Sequence, residues 1–282
     1  MSLSANPLLK QPPVVLNVGI DGFNDSIAAH GGRVRTLRWQ PPGDADPVLA
    51  WKLARLMGDD RIAAANDEVT RRIIKARPMW EDVALRADGV FPELKGQRLL
   101  LHAGPPVAWV DMCGPMHGAM IGAVLYEGWA QTPEQARRML ERGDVEFAQC
   151  HDFKSVGPMT GIISASMPLL QVRDATHGNV AYTNINEGIG RCLRFGANGP
   201  DVLQRLKWFE SVLGPVLKAA VRHDFDKTGG IDLKAIQSQA LLMGDEVHSR
   251  NAASTALFFM TLAVPLAALQ DGRHAVPQAH IH

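Results

Sequence analysis

The sequence predicts a mixed α/β and α+β protein: a small Rossmann-like unit first, an α+β middle domain next and a helical part last. Three observations carry this. The β-branched run Val14-Val15-Leu16-Asn17-Val18 is followed by Gly19 and Gly22, then by helically spaced apolar residues over 23–30, then by an alternating run over 33–39. That is the strand, turn, helix, strand order of a parallel unit. In the middle, short apolar runs alternate with Gly and Pro turns, whereas from Pro200 to Leu269 the pattern is mainly helical. The expected boundaries are 1–97, 98–198 and 199–282.

Taken in order, Gly19-x-x-Gly22 lacks the full Gly-x-Gly-x-x-Gly, so the phosphate seat that a helix N-terminus offers is only an incomplete nucleotide fingerprint here. Pro41-Pro42-Gly43-Asp44 reads as a linker, and 46–57 and 61–76 as helices. Residues 79–96 fit no single class. Residues 98–102 form a short strand, 115–129 a helix with Pro115 in its first turn, and 133–143 a helix that Thr132 caps and Gly143 ends. A strand follows at 145–148. Pro168 splits 162–172 into two short strands, the second pairing with 179–183 through a turn at 174–178. Residues 184–191 are expected to pass from strand into helix. Helices then cover 200–223, 233–243 and 246–269, with Gly229-Gly230 as a hinge.

With 282 residues, 46% apolar and 21% charged, the chain can bury a sizeable core. Lys plus Arg equals Asp plus Glu at 29 each, so bulk charge points to neither nucleic acid nor an anionic membrane. Cys113, Cys150 and Cys192 lie far apart, which argues against a disulfide framework or zinc ribbon and for a reduced, cytoplasmic setting. Residues 1–13 lack the pattern of a signal peptide. The uncharged stretch 252–269 contains Ser254, Thr255, Thr261 and Pro265 and reads as a buried helix rather than a membrane span. A helix apolar on all sides needs cover on all sides, from a partner chain or from sequence beyond this one.

The centre of the sequence is a repeated pentapeptide. Gly114-Pro115-Met116-His117-Gly118 recurs 43 positions later as Gly157-Pro158-Met159-Thr160-Gly161. Pro fixes each bend and the glycines allow close approach of a ligand or another backbone. Gly114, Met116, His117, Gly118, Gly157, Met159 and Gly161 are therefore candidate substrate-binding residues. A duplicated packing turn is the alternative.

Three polar runs surround the repeat. In Cys150-His151-Asp152 a thiol beside an imidazole could act as a nucleophile, and His with Asp could bind a metal. On an extended chain the three do not converge, so Cys150 reads as structural and His151 and Asp152 as catalytic candidates. Asn186 and Glu187 stand where a strand meets a helix, followed by Arg191 and Arg194 at i, i+3, which makes an anion cradle or a capped helix with two solvated arginines. Asp245, Glu246, His248, Arg250 and Asn251 crowd the approach to the apolar helix. Of these, Glu187 and His248 join the catalytic candidates; Asn186, Arg191, Arg194, Asp245, Glu246, Arg250 and Asn251 join the substrate-binding ones.

These motifs in this order, with Leu16-Asn17-Val18-Gly19, Trp39-x-Pro41-Pro42 and Arg194-Phe195-Gly196, resemble the AllG/YlbE/YahG-like family over nearly the whole chain to about Leu269. The resemblance implies a subunit of an oxamate carbamoyltransferase of anaerobic allantoin breakdown, acting with an FdrA-like subunit and a third protein. The implied reaction is phosphorolysis of oxalurate to oxamate and carbamoyl phosphate. It also implies a further C-terminal portion, and more histidine near His151 than this chain has. Carbamoyl transfer to phosphate needs anion holders, assigned to Arg191, Arg194 and the glycine loops, and a proton donor, assigned to His151 or His248. No cofactor is assigned; Mg²⁺ is compatible, as is a homo-oligomer. A metal-dependent amidohydrolase using His151, Asp152, Glu187 and His248, and a non-catalytic scaffold subunit, are the rival readings.

Overall fold

The computed structural model describes residues 14–38, 46–185, 190–247 and 251–269. The chain forms two compact units, Met1–Ile74 and Lys75–His282.

The first unit contains the expected strand, helix, strand order. β1 (Val14–Val18) pairs in parallel with β2 (Arg33–Leu37), and α1 (Gly22–Ala29) connects them. Asn17 Nδ2 donates to Ile20 O (2.9 Å) and Asn24 Oδ1 (2.7 Å), and Asn24 Nδ2 donates to Thr36 Oγ1 (3.0 Å), which ties the helix to both strands. Two helices follow, α2 (Pro47–Met57) and α3 (Asp60–Lys75). α2 starts where its sequence dictates: Asp46 accepts from the Val48 amide at 2.8 Å and Pro47 needs no partner for an amide it lacks.

The second unit contains two sheets. In the smaller, β4 (Leu99–His102) lies between β5 (Glu146–Gln149), parallel to it, and β7 (Ile162–Ile163), antiparallel. The crossover from β4 to β5 runs through α4 (Gly114–Tyr126) and α5 (Pro133–Arg142). Thr132 Oγ1 accepts from the Gln135 amide at 3.2 Å, and Gly143 ends α5 at φ 77°. Because strand residues alternate faces, Leu100 and Ile162 join the core under α4, while Leu101 and Ile163 join a second core with Phe91 and Leu94.

The larger sheet has the order β10-β3-β8-β9-β6, from β3 (Pro78–Ala84), β6 (Ser155–Val156), β8 (Leu169–Asp174), β9 (Val180–Asn184) and β10 (Ile231–Asp232). β3 occupies the stretch that fits no class in the sequence. A register shift between Trp80 and Asp82 breaks its alternation, so Met79, Trp80 and Glu81 are buried in succession. The Glu81 carboxylate accepts from Gln171 Nε2 (2.8 Å) and Arg173 Nε (3.0 Å), as a buried charge requires. β3 therefore pairs with strands of the second unit, although the expected boundary at 97 assigns it to the first.

The C-terminal helices are α6 (Pro200–Trp208), continued by a π-turn (Phe209–Leu213) into α7 (Gly214–Thr228), then α8 (Leu233–Leu242) and α9 (Ala252–Ala268). Gly229-Gly230, expected as a hinge, is a tight turn into β10: Gly230 has φ 106°, and a Cβ there would lie 3.1 Å from the carbonyl carbon of Trp80. Two expectations for α9 are corrected. It begins at Ala252, not 246, and it is not buried: Leu262 and Pro265 are its buried residues, with Phe258 stacked on Trp80 at 5.5 Å. Among the described residues no helix is long and apolar enough to cross a membrane.

Candidate functional site

Both copies of the pentapeptide pack against one turn, the 3-10 segment Leu193–Phe195 and the glycine after it. α4 presents Gly118 and Gly122 on one face. A Cβ on Gly118 would lie 2.7 Å from Gly196 Cα, and a Cβ on Gly122 would strike the Leu193 side chain and sit 3.0 Å from Asn198 Cβ. Gly196, at φ 85°, approaches equally closely, with its added Cβ 2.9 Å from Pro115 Cα. Asn198 Nδ2 closes the contact by donating to Gly118 O at 3.0 Å.

The second copy reaches the same turn from another side. Gly161 N donates to Pro158 O (2.7 Å), which folds the loop, and Thr160 takes φ 59° at its tip. The Thr160 hydroxyl donates to Arg194 O in a very short contact. The base of the loop is fixed by the Ala103 amide donating to Gly161 O (3.0 Å) and Asn184 Nδ2 donating to Ile162 O (3.3 Å).

Two spaces meet at Arg194. One is a cavity of about 30 Å³ lined by Tyr126, Pro158, Gly161, Asn184, Arg194 and Phe209. That is room for roughly two waters or one small terminal group. Asn184 Oδ1 is buried without a hydrogen-bond partner among the described residues. The other is an open groove of about 620 Å³ whose walls include Arg194, Asn251, Ser254 and Phe258, a size suited to small molecules. The Arg194 guanidinium carbon lies 4.1 Å from the Phe195 ring centroid, so the cation is braced by an aromatic face.

The other expected site residues fall in different places. Gly114 has open space around its Cα, Met116 is in the core under α4, and Met159 is exposed. His117 packs against Trp109 with ring centroids 4.2 Å apart and planes tilted by 50°, and donates from Nε2 to Trp109 O (2.6 Å). Gly157 sits beside Ala103 and Asn184. Arg191 does not share a face with Arg194, because the segment is not helical there; it extends into solvent beside Asp201 at 3.6 Å.

Cys150-His151-Asp152 is not extended but coiled into a 3-10 turn, Cys150–Phe153. His151 and Asp152 are exposed, with Nε2 and Oδ1 3.6 Å apart. Cys150 is buried, and burial pushes its thiol up to about 11, which removes it as a nucleophile near neutrality.

Asp245 has a structural task. It accepts from the Ser254 amide (2.8 Å) and the Val247 amide (3.0 Å), and these bonds hold its carboxyl below the usual range at the start of α9. Glu246 is exposed and Asn251 lines the groove. Asn186, Glu187, His248 and Arg250 lie outside the described residues. Among the described residues no group of three or more His, Cys, Asp and Glu is placed to hold a metal ion.

Sequence reasoning passed over Tyr126. Its hydroxyl donates to Glu210 Oε2 (2.8 Å), a carboxylate that also meets Lys207 Nζ at 2.9 Å, and its ring lines the cavity. Only its rarity marked it, since the chain has two tyrosines.

The described residues form a mixed α/β and α+β protein in which Arg194 lines both a small cavity and an open groove. Residues 145–279 match the family described as oxamate carbamoyltransferase subunit AllG. The chain is 49% identical over 217 residues to the oxamate carbamoyltransferase subunit AllG of Escherichia coli K12, covering 77% of this chain and 51% of that protein. It is 40% identical over 258 residues to the uncharacterized protein YahG of the same strain, covering 90% and 53%. A crystal structure of a conserved protein of unknown function from Enterococcus faecalis V583 shares the fold with a TM-score of 0.66 and 38% identity, over 74% of this chain and 48% of that one. The chain is thus similar to AllG/YahG-like proteins and spans about half the length of the curated relatives it matches.

Proposed function

We propose that the chain is a subunit of a carbamoyltransferase complex and that the Arg194 groove holds its small anionic substrate. The observation that carries this reading is the position of Arg194, on a turn that both glycine loops brace, at the junction of a small polar cavity and a large open groove. A guanidinium matches a carboxylate or phosphate. Asn184 Oδ1 offers an acceptor in a space the size of an amide terminus. Oxamate, oxalurate and carbamoyl phosphate each pair an anionic group with an amide N–H, which suits this combination.

The reaction proposed is phosphorolysis of oxalurate. A phosphate oxygen attacks the ureido carbonyl carbon and the C–N bond to the oxamate nitrogen breaks. That nitrogen takes up a proton and leaves as oxamate, and carbamoyl phosphate is the second product. Arg194 holds one anion, Asn184 orients the amide end, and His151 or His248 supplies the proton. The relative named as an AllG subunit supports a multi-subunit complex; an FdrA-like subunit, a third subunit, a cytoplasmic setting and a place in allantoin breakdown extend that reading.

Thermal-shift titration with oxalurate, oxamate, carbamoyl phosphate and phosphate tests it. Stabilisation by at least one of them, lost in Arg194→Ala, is expected. Equal stabilisation of both proteins would remove Arg194 from the site.

A further inference from the structure

The cavity beside Arg194 has an uneven lining. Asn184 and Arg194 stand at its partly exposed edge, whereas Tyr126, Ile162, Met167 and Phe209 are buried and form its inner wall. The Tyr126 hydroxyl is committed elsewhere: it donates to Glu210 Oε2 (2.8 Å), a residue outside the lining. Burial and that carboxylate both raise the Tyr126 pKa, so the hydroxyl keeps its proton and goes on donating. A carboxylate or phosphate pressed against this wall would lose its water without gaining a donor. A small neutral end loses far less.

Phe209 is held from two directions. It opens the π-turn (Phe209–Leu213) between α6 and α7, a rare irregularity that persists where tertiary contacts support it. On one side the next residue, Glu210, is tied to Tyr126 and to Lys207 Nζ (2.9 Å). On the other, Gly214 packs the turn against Pro168: a Cβ there would lie 3.0 Å from Phe209 O and 3.2 Å from Pro168 Cβ. The backbone carrying the ring therefore has little room to withdraw when a larger group enters.

We infer that Phe209 closes the cavity to all but an unsubstituted, neutral amide end, which enters with its N–H on Asn184 Oδ1 while the anionic end stays at Arg194. Asn184 Oδ1 is buried without a hydrogen-bond partner among the described residues, and about 30 Å³ leaves no space for an alkyl group on the nitrogen. This rests on the reading of Arg194 as the anion holder and adds to it a specificity-determining residue and a direction of binding.

Isothermal titration of this chain with oxamate and N-ethyloxamate tests it. The parent is expected to bind oxamate at least about 10-fold more tightly, the discrimination that a methylene or two supplies at a close-packed wall. Phe209→Ala is expected to abolish or reverse that preference. Phe209→Leu should reduce it, and supplies the measurement if the alanine variant fails to fold. The readout is a ratio of two affinities, which a general loss of stability does not move. Equal binding of the two compounds by the parent, or the parent's preference retained in both variants, would overturn the inference. If the parent binds neither compound, or if oxamate is indifferent to Arg194→Ala, the anion reading fails, and soaked crystals still decide the cavity. Acetamide, which has no charge for Arg194 to hold, is expected with its nitrogen at Asn184 Oδ1, and N-ethylacetamide is expected only in the Phe209 variants. A parent cavity that takes both amides, or neither, would overturn the inference.

Discussion

Gly118 and Gly196 touch backbone to backbone: a side chain on Gly118 would place its Cβ 2.7 Å from Gly196 Cα and 2.8 Å from its carbonyl carbon. Nothing at that point can move aside as a flexible side chain would. The contact holds the turn carrying Arg194 against the first turns of α4 (Gly114–Tyr126), so the position of the proposed anion holder depends on two missing side chains.

Gly118→Ala is accordingly expected to destabilise the protein by about 1–3 kcal/mol, read as a fall in the thermal midpoint. Gly196→Ala should cost more, since it adds the strain of a left-handed φ to the clash with Pro115. Gly114→Ala meets nothing within 4 Å and should leave the midpoint within a degree or two of the parent. Equal effects at positions 114 and 118 would contradict the packing described.

Arg194→Lys separates charge from geometry. A lysine keeps the charge and loses the planar fork, so a ligand held through paired N–H groups should bind about 10–100-fold more weakly, equivalent to roughly 1.5–3 kcal/mol. Isothermal titration with whichever compound stabilises the parent protein measures this. Full retention of affinity in the lysine variant would reduce the role of Arg194 to a point charge.

Thiol chemistry should separate the three cysteines. Cys113 is exposed, whereas Cys150 and Cys192 are buried and burial raises the Cys150 thiol to about 11. At pH 8 a chromogenic disulfide reagent should titrate one thiol in the native protein and three after denaturation. Rapid native reaction at Cys150, mapped by mass spectrometry, would contradict its assignment as a core residue.

Asp174 should show itself in the acid limb of stability. Burial works to raise its pKa, but the Arg77 amide, the His177 ring and the Thr176 amide together hold it at about 2, against 3.8 ordinarily. A depressed carboxyl stabilises the fold above its unfolded pKa and loses that contribution as pH falls through its folded one. Asp174→Asn should therefore lower the midpoint at pH 7 by about 3 °C, and the gap from the parent should close between pH 4 and 2. A gap independent of pH would mean that the carboxylate charge is not what holds the hairpin.

Much of the local structure was legible in the chain. Asp46-Pro47 and Thr132-Pro133 start helices because their side-chain oxygens and missing amides satisfy a helix end from within a few residues. Pro168 divides two strands, and the β8–β9 turn falls where its polar residues lie. β3 (Pro78–Ala84) was not legible, because its bulge destroys the period of two on which strand reading rests. β10, of two residues, is too short to have a period. In the candidate site, the pentapeptide repeat was legible as a repeat, and Arg194 as one of two candidate arginines; the Tyr126–Glu210 bond was not, since its partners lie 84 positions apart, and the capping task of Asp245 depends on a turn that brings Ser254 back to it.

The sequence by itself determined several starts, ends and bends, among them the helix starts at Asp46-Pro47 and Thr132-Pro133, the helix end at Gly143 and the strand break at Pro168. Those properties reside in single residues and their nearest neighbours, through φ restriction, capping and periodicity. Only the tertiary structure decided that the two glycine loops meet at one turn. The bonds that bring them there, from Thr160 to Arg194 and from Asn198 to Gly118, join residues 34 and 80 positions apart. Sheet order and close packing set such distances, and neither leaves a pattern along the chain. The same holds for α9, whose sequence alone does not tell its faces apart; only packing against Trp80 distinguishes the covered face from the open one.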